Sequence, residues 1–141
     1  MISLKQTLSA ITSKFTALNT LLNDVPHYTL LWTNPNPTSA FAAQTISLDL
    51  SKYDAVEVVF KRYNTVKIYS TQRLFEKGAN YTLGTTTDET FRYRLCSFNN
   101  SGVTFGTPLY MPSYGTWKPT TASNACDIPY KIYGIKFGGG V

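Results

Sequence analysis

The stretch MISLKQTLSAITSKFTALNTLL, residues 1–22, sets the organisation of this chain. Its apolar residues recur at alternating intervals of three and four, which is the 3.5-residue period of a helix whose apolar stripe faces another helix. The members of the stripe are Met1, Leu4, Leu8, Ile11, Phe15, Leu18 and Leu22. Pro26 cannot continue a helix and disfavours helical geometry at Val25, so the sequence predicts a helix over residues 1–24.

Two surfaces could cover this stripe: the same helix of other subunits, or the β-structure that follows in the same chain. Ser and Thr are mediocre helix formers, so a helix of this composition is marginal alone and needs a partner. In heptad notation, Phe15 and Leu8 are a positions and Ile11 is a d position, a combination that favours three or more helices over a dimer. We expect a homotrimeric coiled coil. Its oligomerisation residues are Leu4, Leu8, Ile11, Phe15, Leu18 and Leu22.

Composition limits the classes to which the chain can belong. It has 141 residues, is rich in Tyr and Phe, and is only 15% charged, which is typical of one globular domain with an appendage. No apolar run is long enough to span a membrane, so no membrane insertion is expected. The N-terminus lacks the compact apolar core of a signal peptide, so synthesis in a cytoplasm is expected. The net charge of +5 is scattered along the chain, and no nucleic-acid partner is expected.

The residues after Pro26 show the two-residue alternation of β-strands, interrupted by turn signals such as Asn99-Asn100-Ser101-Gly102. The predicted strands are 28–33, 46–50, 55–62, 66–69, 80–83, 91–98, 103–110 and 130–137. In the sixth, Phe91, Tyr93 and Leu95 alternate with Arg92, Arg94 and Cys96. This pattern predicts a mainly β fold, an antiparallel sandwich or barrel, and of the two we expect an antiparallel β-sandwich of jelly-roll-like type. The predicted domains are therefore an oligomerising helix (1–24), a junction with the first strand (25–38) and a β-sandwich head (39–141).

The sequence offers little catalytic chemistry. His27 is the single histidine and sits at the junction of helix and sheet, so no nucleophilic triad is indicated. The eight Asp and Glu residues fall almost entirely at turns or on solvent-facing strand positions, and no pair stands out as a glycosidase pair. Cys96 and Cys126 do not make a zinc site, and they are either buried thiols or partners in a disulfide. The chain is predicted to be no enzyme and to hold no metal or cofactor.

Binding fits the residue types better. Residues 111–127 read as a long irregular loop in which aromatic rings lie among hydroxyls and amides, the groups that stack on a sugar and hydrogen-bond its rim. We expect a glycan-binding site there. Its candidate residues are Tyr114, Trp117 and Asn124. Trp32, just after the helix, is interpreted as a packing residue between coil and sheet rather than a ligand contact, and Gly134 as a position that allows close backbone approach or a bulge.

Three stretches carry a resemblance to a known group of proteins. They are LWTNPNPTSAFAAQTISLDLSKYDAVEVVFK from Leu31, FRYRLCSFNNSGVTFG from Phe91 and CDIPYKIYGIKF from Cys126. Together they resemble the C-terminal β-domains of minor structural proteins encoded by bacteriophages and prophages of Gram-positive and gut bacteria. The resemblance implies a virion protein, a tail or head fibre, trimeric, synthesised in the host cytoplasm and presenting β-sandwich heads to the host.

The expected function is therefore attachment to a host surface glycan without catalysis, with the N-terminal region also contacting other virion proteins. Multivalent heads suit this role, because linked weak sites gain avidity. Two alternatives remain open. One is a purely structural virion decoration or connector, and the other is a polysaccharide depolymerase, which would release oligosaccharide from the host polymer.

Overall fold

In a computed structural model the chain forms one α-helix and ten β-strands over the residues that the structure describes, which are 1–61, 68–87, 90–112, 118–119, 124–125 and 127–138. The helix, α1, spans Leu4–Asn23. The strands are β1 His27–Thr33, β2 Gln44–Ser47, β3 Ala55–Lys61, β4 Ile68–Leu74, β5 Tyr81–Thr87, β6 Thr90–Asn99, β7 Gly102–Phe105, β8 Leu109–Pro112, β9 Lys118–Pro119 and β10 Ile128–Lys136. The helix belongs to one compact unit, and Tyr28–Ile135 form another. The predicted mainly β fold with one N-terminal helix is confirmed.

A reciprocal cap between Ser3 and Gln6 starts α1. The Ser3 hydroxyl accepts a hydrogen bond from the Gln6 amide at 3.3 Å, and the Ser3 amide donates to Gln6 Oε1 at 2.9 Å. This capping box satisfies donors that the first turn leaves without helical partners. The helix therefore begins later than predicted, and Met1 lies before it. It ends as predicted at Asn23, with Asp24 as the C-cap ahead of Pro26.

The strands are arranged in two antiparallel sheets. The first has the order β1-β10-β3-β4, and the second has the order β2-β7-β6-β8-β9 with β5 also paired to β6. β3 lies between β10 and β4, and all of its residues except the half-buried Glu57 are buried. A strand inside a sheet with both faces covered is expected to be apolar nearly throughout, as AVEVVFK is.

The region predicted as one strand over 103–110 is two strands. β7 ends at Phe105 and β8 begins at Leu109, and both pair with β6 along its length. Pro108 lies in the break, where it has no amide to donate to a sheet ladder. The Gly106 amide still donates to the Leu95 carbonyl at 2.8 Å, so the chain keeps contact with β6 across the interruption.

Several other strand boundaries differ from the prediction. β5 extends to Thr87, and β9, Lys118–Pro119, lies within the region predicted as an irregular loop. β2 ends at Ser47, and the predicted continuation to Leu50 instead bonds to a turn, with the Leu48 and Leu50 amides donating to the carbonyls of Ser101 and Asn100. The predicted strand 66–69 is seen as β4, Ile68–Leu74. Its second half, STQRL, has too many polar residues to show an apolar alternation, but it pairs with β3 across Val56–Phe60.

A single hydrophobic cluster draws buried side chains from both sheets. The first sheet contributes residues of β3 and β10, including Phe60 and Ile132, and the second contributes Phe98 and Phe105 of β6 and β7. The rings of Phe60 and Phe105 meet edge to face with centroids 6.3 Å apart. Two sheets that share one apolar core are consistent with a β-sandwich.

Gly134 on β10 is confirmed as a point of close approach. A Cβ built on Gly134 would lie 2.5–2.7 Å from ring atoms of Tyr53, closer than carbon atoms can pack. Tyr53 is buried and belongs to the core cluster. Glycine at this position therefore lets the Tyr53 ring lie directly against the β10 backbone.

Candidate functional site

The six predicted oligomerisation residues lie on α1 and are all exposed. Their exposed fractions run from 48% at Ile11 to 77% at Leu4. Every other residue of the helix is exposed as well, so exposure does not distinguish the apolar residues from the polar ones. They differ only in the face of the helix on which they lie. The set is Leu4, Leu8, Ile11, Phe15, Leu18 and Leu22. Apolar stripes of this kind on helices commonly form contact surfaces.

The predicted glycan loop is only partly described. Tyr114 and Trp117 lie outside the described residues, as does Cys126. Asn124 is described and half-buried, and its backbone carbonyl accepts a hydrogen bond from the Phe41 amide at 2.7 Å. Its side-chain Oδ1 is buried and has no hydrogen-bond partner among the residues that the structure describes. Asn124 is therefore hydrogen-bonded to the segment around Phe41. The sequence did not indicate this contact.

A cavity lies next to Phe41, in the segment between the end of β1 and the start of β2. Trp32 and Phe41 form its aromatic wall, and Asn36, Ser39, Gln44 and Ile46 are among its other lining residues. Its volume is about 370 Å³, at the small end of the range of about 300–1,000 Å³ for ligand pockets. The wall combines rings with uncharged amides and a hydroxyl, so it can both stack on a ligand and hydrogen-bond it.

Asn34 holds the polar side of this cavity in place. It is buried; its Nδ2 donates to the Pro129 carbonyl at 2.8 Å, and its backbone amide donates to the Tyr130 carbonyl at 2.8 Å. Its Oδ1 accepts from the Asn36 amide at 2.8 Å, which closes an Asx turn. The Asn-Pro-Asn-Pro segment is therefore anchored to β10 by a fully engaged side chain.

Arg94 fixes the position of Phe41, which forms part of the aromatic wall of the cavity. This side chain of β6 is completely buried, and it donates from Nη2 to the Phe41 carbonyl at 2.8 Å and from Nη1 to the Gly106 carbonyl at 2.9 Å. Its guanidinium lies 5.5 Å from the centroid of the Phe41 ring. Charge-assisted hydrogen bonds of this kind are about twice as strong as neutral ones, so Phe41 is firmly positioned.

Trp32 has two roles in this arrangement. Its half-buried side chain packs against the core, and its ring meets Phe41 edge to face with centroids 6.2 Å apart. Trp32 is thus a packing residue toward the core, whereas packing between coil and sheet stays a prediction. It also lines the cavity, which sequence reasoning missed. The available signal was the rigid polar turn Asn34–Pro37, which follows directly on an aromatic strand.

Burial raises the pKa of the Cys96 thiol to about 12, against a small opposing effect of the Arg94 charge. Cys96 is free and buried. Because only the thiolate is nucleophilic, we expect iodoacetamide at pH 8 to label Cys96 at least tenfold more slowly in the folded chain than in denaturant, measured by fragment mass spectrometry. Burial of the neutral thiol also makes stability depend on pH. Its contribution to the free energy of unfolding is fully present below the ordinary pKa of 9.0 and is lost as pH rises from 9 toward 12. Equal labelling in both states would contradict the burial of Cys96.

The described residues contain no group of three His, Cys, Asp or Glu side chains that could hold a metal ion. Within the same residues, no helix is long and apolar enough to span a membrane. Arg73 and Glu57, on neighbouring strands β4 and β3, form an ion pair of 2.7 Å.

Comparison with known proteins finds no matching protein family, no matching characterised protein and no matching solved structure.

Proposed function

We propose that this chain is a trimeric attachment protein of a phage virion, a fibre or tip component that binds a host cell-surface polysaccharide without catalysis. It is synthesised in the cytoplasm of the host bacterium and incorporated into the virion. The N-terminal helices form a parallel coiled coil and also meet other virion proteins. The β-domains are jelly-roll-like heads.

The apolar stripe of α1 carries this proposal. Its residues keep the three-and-four spacing of a coiled coil over the whole observed helix, and all are exposed at roughly half or more of their surface. Exposed apolar area is costly in water, and burial returns about 25 cal/mol per Å². Phe15 at an a position is too bulky for a tight dimer seam and suits a trimer.

The compact unit Tyr28–Ile135, called the β-unit below, supports the attachment role through its cavity. Its cavity offers aromatic and uncharged polar groups to a ligand, which are the groups that recognise a sugar. A polysaccharide repeats its units, so three linked heads can engage one polymer together. Linkage of that kind raises avidity by about 10²–10⁴-fold, and weak individual sites suffice.

The solution mass of the full chain tests the proposal. Light scattering at micromolar concentration is expected to give three times the 15.7 kDa mass of the monomer. The same protein is expected to be retained on cell-wall polysaccharide from Gram-positive bacteria, with no oligosaccharide released. A monomer at every concentration would contradict the trimer and favour a connector whose helix docks on a different virion protein.

A further inference from the structure

We infer that the cavity between Trp32 and Phe41 is the sugar site of the β-unit, and that it takes a neutral pyranose, one or two units in size. The inference rests on the proposed attachment function and adds a location and a ligand class to it. It also moves the centre of recognition away from Tyr114 and Trp117 to the segment that joins β1 and β2.

The aromatic wall suits the apolar face of a sugar ring. Trp32 is half-buried and braced by Phe41 at 70°, so its ring orientation is fixed before a ligand arrives. Phe41 is itself braced by Phe105, with centroids 5.5 Å apart. A rigid ring gives stacking area at low cost in conformational entropy, which favours binding of a small ligand.

The polar lining indicates a ligand without charge. Asn36, Ser39 and Gln44 are exposed and bring amide and hydroxyl groups, which both donate and accept hydrogen bonds as a ring of sugar hydroxyls requires. Among the described residues that line the cavity, none has a charged side chain. Arg94 contacts Phe41 but is completely buried, and its guanidinium donates to the Phe41 and Gly106 carbonyls. A carboxylate or phosphate would lose its hydration here without gaining a cation.

The cavity is also preformed. Asn34 ties the polar rim to Pro129 and Tyr130, and the Ser39 amide donates to the Asn36 carbonyl at 3.1 Å. Because these bonds exist in the free chain, a ligand need not order the loop. Its volume of about 370 Å³ admits one or two sugar units but no longer oligosaccharide in full.

The two tryptophans of the chain allow a direct test. The full chain is labelled with 5-fluorotryptophan, and the two ¹⁹F resonances are assigned with Trp117→Phe. Methyl glucoside, methyl galactoside and N-acetylglucosamine are titrated, with galacturonate as the anionic comparator. We expect at least one neutral sugar to move the Trp32 resonance saturably, with a dissociation constant on the order of millimolar.

Ala40 and Ala42 supply the matched variants. Both are exposed in the same segment, but only Ala40 lines the cavity. Ala40→Phe is expected to abolish the Trp32 shift and Ala42→Phe to keep it. The inference is overturned if no neutral sugar moves Trp32, if the shift survives in Ala40→Phe, or if galacturonate binds more tightly. A shift confined to Trp117 would also overturn it while leaving polysaccharide attachment standing, and the trimer is judged separately by its mass.

Discussion

Arg94→Ala is expected to lower the free energy of unfolding by about 3–5 kcal/mol, the largest single loss that we anticipate for this fold. The substitution leaves the carbonyls of Phe41 and Gly106 without their donor, and an orphaned buried polar group costs about 1–3 kcal/mol. It also removes a large, completely buried side chain, which leaves a void. Chemical denaturation followed by tryptophan fluorescence measures the change.

Arg73→Ala is the matched control, because it deletes the same side chain from a different environment. The Arg73 side chain is 53% exposed while that of its partner Glu57 is 13% exposed, and an ion pair with its cation in water contributes little to stability. The denaturation midpoint is expected to stay nearly unchanged. Equal losses in the two variants would mean that Arg94 does not hold the core as described. Arg94→Lys should fall between them, because an ammonium cannot reproduce the planar fork that reaches two carbonyls.

The second large effect is expected from Ile11→Asp. Ile11 is a d position near the middle of the stripe, and three carboxylates facing one another in a coiled-coil seam would be both desolvated and mutually repelling. We expect the mass from light scattering to fall from three times to one times 15.7 kDa. Retention on a polysaccharide-coated surface should fall by about 10²-fold or more as avidity is lost.

Ser13→Asp separates the seam from helix propensity. Ser13 is exposed two residues further along α1, on the face opposite Ile11, so the same charge is added to the same helix outside the seam. This variant is expected to remain a trimer. Dissociation of both variants would point to helix destabilisation, and persistence of the trimer in Ile11→Asp would refute the proposed seam. The affinity of a single head for a monosaccharide should be the same in both variants, since α1 and the residues that line the cavity belong to different compact units.

Features set by local sequence were predictable. The end of α1 follows from Pro26, which restricts the residue before it, and the β class follows from alternation in stretches such as 91–98. Gly134 was recognised as a close-approach position because a glycine inside a strand has few other uses. The start of α1 was missed because the apolar spacing runs through Met1, whereas the Ser3 cap decides where helical hydrogen bonding begins.

Features set by long-range partners were not predictable. β6 alternates as expected, yet the buried face is the one with Arg94 and Cys96, while Leu95 is 43% exposed. An arginine can occupy the core only because the carbonyls of Phe41 and Gly106 accept its hydrogen bonds there. The sequence of β6 alone does not indicate these two partners. The cavity is hidden for the same reason. Its polar rim depends on Asn34 bonding to Pro129, 95 residues later.

The division of labour around Asn34 has a consequence for how this protein can evolve. Asn34 bonds the chain to β10, whereas Asn36, Ser39 and Ala40 line the cavity with side chains that make no hydrogen bond within the described residues. Substitutions at those three positions are therefore nearly free of a folding penalty. On the proposed function, mutation there would change which sugar the cavity binds while the scaffold stays constant, so a few residues of one loop would be enough to alter the target.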